Sequence, residues 1–303
     1  MEKYFGEIAG ILTAVFWTVT SLAFESAGKK VGSLAVNLIR LVMAFFFIGF
    51  YSWFARGFFF PSDATVFQWK WLALSGVVGF VIGDLLLFQA FVVVGARISM
   101  LIMALAPPFT AFISWLILGE VLTLTNWLGM TVTLAGIVMV ILKREKTEHN
   151  GEIVRRLKSG YSVQGILLAL GGALGQATGL VLSKKGMGDY DAFSASQIRV
   201  LTGIVGFSIL FIFMKRWPRV WSALRHVPAM KRITLGAFFG PFLGVSFSLL
   251  AVQHTEAGVA ATLMAISPVL IIAPSVIWFG EKVNWKEILG ATITVGGVAL
   301  FFL

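Results

Sequence analysis

Ten stretches of apolar residues, each long enough to cross a bilayer as a helix and separated by short polar connections, leave this chain few ways to fold. They run approximately over 6–26, 34–54, 71–94, 97–118 and 124–142, then over 163–183, 192–214, 233–252, 257–279 and 286–303. A helix of about 20 apolar residues spans the hydrocarbon core because it satisfies its own backbone where no water can. Ten such spans in a chain of 303 residues leave roughly 100 for connections, too few for a soluble enzyme domain. The residues agree: 58% are hydrophobic and only 13% charged, against about a quarter charged in soluble domains. The expected fold class is an all-α integral membrane protein of ten transmembrane helices, multi-pass in the cell (inner) membrane. The first run lacks a small-residue cleavage site before Glu25 and reads as a retained helix.

Sliding the sequence against itself by 161 residues aligns Leu74–Leu142 with Leu235–Leu303 without a gap, with about 17 identities in 69 positions. Met103, Ala104 and Pro107 fall on Met264, Ala265 and Pro268. Gly119 and Glu120 fall on Gly280 and Glu281, and Gly129, Thr133 and Gly136 on Gly290, Thr294 and Gly297. A two-residue change of spacing also places Arg40 on Arg199. The polar stretch 143–162 divides the chain into a first repeat, 1–142, and a second, 163–303. Five helices per repeat is odd, so the second copy enters from the opposite side and the repeats are expected to be inverted around a central cavity. Exchanging the conformations of two such bundles opens that cavity to alternate faces, which makes transport the leading functional expectation.

The formal charge of +10 does not indicate nucleic acid, because of where it sits. Connections on one face hold 17 Lys or Arg against five on the other, with Arg40 and Arg199 inside helices. The positive-inside rule puts the basic face in the cytoplasm and both termini outside. With no cysteine there are no disulfides or thiolate metal sites, and neither a metal nor a cofactor is expected.

Charges within spans are costly and therefore informative. Asp84 lies deep in the third span and is the best candidate for binding a proton or a cationic part of a substrate. A structural reading, pairing with Arg40 or Arg97, has equal weight. Arg40 and Arg199 read first as snorkelling or helix-pairing residues and second as gating candidates. Pro107 and Pro268 fall inside apolar runs and are expected to kink their helices and free the carbonyls of Met103 and Met264 toward the central axis. Trp17, Thr20, Gln89, Gln176, Ser246 and Ser248 complete a candidate cavity wall, suited to an uncharged, zwitterionic or amphipathic solute. Glu120 and Glu281 follow glycines at helix ends and read as caps of the next helix or tethers of the turn. Gly171, Gly175 and Gly179, with Gly76, Gly79 and Gly83, read as close-packing faces. GGALG lacks the Lys and the strand context of a phosphate loop.

The tryptophan of AVFWTVTSLAF, the arginine of NLIRLVMAFF and above all ALAPPFTAFISWLILGEVLTLTNWLGMTVTLAGIVMV, which recurs as AISPVLIIAPSVIWFGEKVNWKEILGATITVGGVALF, resemble the EamA-type permeases of the drug/metabolite transporter superfamily. The resemblance covers nearly the whole chain. It implies a ten-helix basket whose cavity is lined mainly by the first, third, fourth, sixth, eighth and ninth helices. It also implies termini inside, against the charge count, which we follow. The expected function is a secondary transporter, an exporter or exchanger, of a small metabolite such as an amino acid or related amphipathic solute. Its partners would be that solute, the lipid bilayer and a coupling proton or ion. A lipid or lipid-linked metabolite flippase is the alternative. An intramembrane enzyme is disfavoured: there is no HExxH, His149 and His226 fall in loops, and Asp189 and Asp191 share a turn.

Overall fold

The structure, a computed structural model, describes residues 4–94, 99, 102–141, 147–149, 152–154, 162–270 and 285–300. Arg97, Gly280, Glu281, the side chain of Pro268, the second half of the ninth span and most of the linker lie outside the described residues. Helix α1 (Phe5–Val31) passes through Gly32, whose φ of 86° suits glycine, into α2 (Ser33–Arg56). Helix α3 (66–93) joins Val66–Gly76, a π-helical turn Val77–Gly83 and Asp84–Val93. Helices α4 (Ala106–Leu118) and α5 (Leu124–Ile141) complete the first half. The linker contributes a short antiparallel pair, β1 (Thr147–His149) and β2 (Glu152–Val154).

The second half opens with α6 (Val163–Met187), α7 (Ala192–Phe213) and a short amphipathic α8 (Trp217–Arg225), which buries Val220 and Ala223. Helix α9 (227–254) again carries a π-helical turn, Phe238–Gly244, between Val227–Ala237 and Val245–His254. Helices α10 (Ala257–Met264), α11 (Ser267–Leu270) and α12 (Trp285–Ala299) follow.

Six described helices are long and apolar enough to cross a membrane: Phe5–Gly28, Ser33–Arg56, Val66–Ala90, Val163–Met187, Ala192–Phe213 and Val227–His254. The third and eighth spans begin well before the expected 71 and 233. Thr65 and Gln68 form a capping box that starts α3, and His226 caps α9 by accepting from the Ala229 N–H, so both helices include their polar entry turns.

The 161-residue repeat is visible in the element boundaries. Val66, Val77, Asp84, Ala106 and Leu124 begin elements in the first half, and Val227, Phe238, Val245, Ser267 and Trp285 begin the counterparts. Glycines set the packing between halves. A Cβ added at Gly175 or Gly179 of α6 would stand 2.7 or 2.9 Å from the Cα of Gly83 or Gly79, so α3 and α6 touch backbone to backbone, running in opposite directions. Likewise Gly244, Gly240 and Gly236 of α9 receive Trp17, Thr20 and Phe24 of α1. Helices α5 and α12 pair reciprocally: Gly136 abuts Thr294 while Gly297 abuts Thr133.

The proline expectation is corrected. Neither proline kinks a continuous helix. Residues 104–105 and 265–266 are turns, with Leu105 N–H donating to Ile102 O at 3.0 Å and Ile266 N–H to Leu263 O at 3.4 Å. New helices start at Ala106 and Ser267, so Pro107 and Pro268 occupy the second position of a first turn. A missing N–H costs nothing there, since first-turn amides have no intrahelical partner.

Candidate functional site

Between the two halves, α2 and α3 of the first and α6 and α7 of the second converge on a buried charge cluster. Arg40, Asp84 and Arg199 are 7, 5 and 4% exposed. The π-helical turn ends immediately before Asp84, widening α3 at its glycines and aiming the carboxylate at α2. Arg40 Nη2 donates to Asp84 Oδ2. Gln176 Nε2 donates to Asp84 Oδ1 at 2.6 Å and lies 3.3 Å from Gly79 O, a carbonyl of the widened turn. Thus Arg40 does not snorkel; it is held inward by the carboxylate and lies 5.3 and 5.0 Å from the ring centroids of Phe24 and Phe88. Arg199 lies over Phe80 at 4.8 Å. It has no ion-pair partner among the described residues. Among the described residues the cluster therefore holds two guanidiniums and one carboxylate.

Several polar atoms around it are buried without hydrogen-bond partners: Arg40 Nε and both amide atoms of Asn37 on α2, Arg199 Nε and Ser196 Oγ on α7, and Ser246 Oγ on α9. Asn37 and Arg40 correspond to Ser196 and Arg199 at the 159-residue spacing, so the orphaned atoms recur at equivalent places in the two halves. Buried groups of this kind are rare in well-packed proteins and costly where they persist.

Beside the cluster, a cavity of about 290 Å³ opens at the basic face, lined by residues of α2, α3, α6 and α7 with Arg216 at its mouth. Its lining includes Asn37 and Phe88 on the inner side and the exposed Gln89. Phe88 both faces the cavity and underlies Arg40, so one ring separates the opening from the ion pair. These are not the helices implied by the resemblance, the third and sixth excepted.

The opposite face is closed by a polar latch. Arg56, at the end of α2, bonds Asp63 and Ser194 and approaches Asp191 at 3.7 Å. Tyr190 Oη donates to Asp63 at 2.8 Å, and Gln253 Nε2 donates to Gly188 O and Tyr190 O at 2.7 and 3.1 Å. Partial burial alone would raise the Asp63 carboxyl, but the Tyr190 hydroxyl and the Arg56 guanidinium overcome it and hold it below the usual carboxylate value. Tyr190 is pushed up by burial and by its bond to Asp63. Lys184 pairs with Glu120 at 2.5 Å and donates to Thr255 O at 2.6 Å. Glu120 Oε2 accepts from the Ala257 N–H at 2.9 Å, so it caps the distant α10 and not the helix that follows it.

Of the expected site residues, the structure brings together Asp84, Arg40, Gln176 and Arg199, and places Gln89 on the cavity. Others are spent on packing. Trp17 packs on Gly244, Thr20 donates to Phe16 O at 2.9 Å, and Ser248 to Val245 O at 2.7 Å. Met264 sits in an apolar cluster, Pro107 is buried and Met103 half-buried. Sequence reasoning missed Asn37, although an amide one turn before Arg40 in an apolar run was the available signal. It also missed the latch, whose two segments, 56–63 and 190–194, are distant in sequence.

The comparisons extend to the whole chain. It matches the model of the EamA-like transporter family twice, over residues 4–142 and 163–303. It is 26% identical over 242 residues to the uncharacterized transporter YdfC of Bacillus subtilis, covering 76% of this chain and 70% of that one. To human solute carrier family 35 member G1 it is 23% identical, over 94% of this chain and 75% of the relative. A crystal structure with 18% sequence identity superposes with a TM-score of 0.72 over 98% of this chain and 96% of its own, a likeness of fold. With two matched segments spanning nearly all of its residues and a buried charge cluster between apolar helices, the chain is a multi-pass membrane protein that belongs to the EamA-like transporter family.

Proposed function

We propose that this protein is a secondary transporter that moves a small amphipathic metabolite across the cell membrane by alternating access. Ten helices would form two inverted five-helix repeats, 1–142 and 163–303. The observation that carries this reading is the reciprocal pairing of α5 with α12: Thr133 meets Gly297 as Gly136 meets Thr294, each contact the repeat image of the other. Contacts of that kind are made by elements related through a two-fold axis, the symmetry alternating access uses.

In this conformation the basic face is open and the far face latched. Asp84 is the asymmetric element, since its repeat counterpart is Val245. One acid between two arginines, beside a cavity, suits a coupling role: a proton or substrate group that alters the Asp84–Arg40 pair alters how α2 and α3 hold together. Export or exchange would follow from opening toward the cytoplasm, where the charge count puts the basic face.

Counterflow in proteoliposomes loaded with a bacterial metabolite extract tests the proposal. Saturable exchange of a small solute, reduced at least tenfold in Asp84→Asn at equal reconstitution, is the expected outcome. Headgroup scrambling with no soluble exchange would replace the carrier with a flippase.

A further inference from the structure

The cavity and the cluster behind it specify the charge of the solute, an inference that rests on the transport reading above. Leu34, Leu85, Leu86, Leu168, Leu210 and Met214 give the cavity an apolar wall. Among the described residues, no acidic side chain lines it. Its volume of about 290 Å³ sits at the small end of ligand pockets. At the mouth, the guanidinium of Arg216 has no ion-pair partner among the described residues. At the inner end, beyond Phe88, lies a cluster with one positive charge in excess: Arg40 and Arg199 against Asp84. Both ends of an apolar, weakly screened space are therefore positive. A cation is repelled from either end. A neutral solute gains nothing from the field, and a single negative charge balances the cluster's excess. Asn37, on the inner wall, is fully buried with its amide nitrogen and oxygen both unpartnered, and a carboxyl group or its bound water offers the complementary acceptor and donor.

We infer that the cavity recognises a small monocarboxylate with a branched or linear apolar body, and that Arg216 and Asn37 determine that specificity. Arg216 steers the carboxylate into the mouth through its field, Asn37 holds that same carboxylate at the inner end, and the leucines and Met214 take the apolar body that trails it.

The test uses the full chain in phosphatidylcholine nanodiscs, with radiolabelled 4-methylpentanoate as the probe. Competitors are its isosteric amide, 3-methylbutylammonium and phosphatidylglycerol. The acid should bind at least tenfold more tightly than the amide, and the ammonium should not compete. Arg216→Gln should slow association of the acid about tenfold, the scale of electrostatic steering, with Arg216→Lys restoring most of it and amide association unchanged. Asn37→Leu, close in volume, should weaken acid and amide together. Equal affinity for acid and amide, stronger binding of the ammonium, or displacement of probe by phosphatidylglycerol alone would overturn the inference. Counterflow of neutral solutes with no acid binding would sink it while leaving transport standing. Acid binding without counterflow of any solute would reject transport and leave the cavity's specificity intact.

Discussion

The cavity at the basic face and the region that the repeat places opposite it are built from equivalent positions, yet one is open and the other filled. Leu34, Leu86 and Leu210 line the cavity. Their counterparts at the 159- and 161-residue spacings are Phe193, Phe247 and Tyr51. Phe193 packs edge-on to Phe247 with ring centroids 6.3 Å apart, and Tyr51 lies against Phe193 at 4.2 Å. Beyond the rings stands the Arg56, Asp63 and Tyr190 latch, whereas the mouth of the cavity has Arg216, with no ion-pair partner among the described residues. The difference teaches that a symmetric scaffold carries an asymmetric preference: bulky rings and a polar latch close one face in this conformation, while leucines leave the other open.

The largest effect comes from removing the one element with no counterpart. Asp84→Leu leaves Arg40 and Arg199 buried without a compensating charge. Breaking a buried pair by deleting one partner costs about 3–5 kcal/mol, so a large fall in the unfolding temperature in detergent is expected. Arg40→Met in the same chain should recover part of it, because an apolar pair of similar volume is often neutral or better. A double variant no more stable than Asp84→Leu alone would show that Arg40 is not the partner that matters.

A smaller effect separates the two interfaces that glycines make. At Gly175 a Cβ meets the Cα of Gly83 at 2.7 Å, backbone that cannot move without shifting α3. At Gly244, the repeat counterpart of Gly83 on the corresponding α1–α9 interface, it meets the ring of Trp17 at 2.7 Å, a side chain that can rotate, and the Phe239 carbonyl oxygen at 2.9 Å. Gly175→Ala should therefore destabilise by about 1–3 kcal/mol, the range for overpacking, and Gly244→Ala by less. Equal losses would mean that Trp17 is held as rigidly as backbone.

How much of this was legible in the sequence depended on whether the cause was local. Spanning helices follow from apolar runs, and the repeat boundaries recur because the same residues, such as Pro107 and Pro268, start the same elements. Glycine faces announced close packing on α3 and on α6, though not that each face packs on the other. A proline in an apolar run, however, does not say whether the helix bends or stops; the turn at 104–105 depends on packing that no window of sequence contains. Arg40 read as a snorkelling or helix-pairing residue, and a pair with Asp84 stood as one of two readings of that acid; the fold chooses the pair. The latch was invisible for a plainer reason: Glu120, Lys184 and Thr255 meet across the bundle, and no pattern in the chain links them.

Accessibility gives a more modest reading of the comparison, and the absence of native cysteine provides a clean background. Gln89 is exposed and lines the cavity, while its counterpart Leu250 is packed among apolar residues. Gln89→Cys should react quickly with a membrane-impermeant maleimide and Leu250→Cys slowly. Adding Phe193→Ala to Leu250→Cys should raise its labelling about tenfold, equivalent to roughly 1.4 kcal/mol of bias toward the open face. Labelling unchanged by Phe193→Ala would assign the closure to the polar latch alone.

The smallest expected change is that of the latch with pH, and its sign follows from the two titrating groups. Asp63 is held below its ordinary value, about 3.9 for an aspartate, so its contribution is complete above that pH and is lost only as the pH falls through its lower folded value. Tyr190 is held above its ordinary value near 10, so its contribution is complete below that pH and is lost as the pH rises through its higher folded value. Between about pH 5 and 9 the latch should not respond to protons at all. Spin labels at Ser62→Cys and Asp189→Cys, both exposed beside it, should give one distance distribution across that range and a broader one below about pH 4. Asp63→Asn should show the broader distribution at every pH. A shift centred between pH 6 and 8 in the unmodified latch would place the proton-sensitive group elsewhere, and Asp84, the one acid between the two arginines, would be the first residue to substitute.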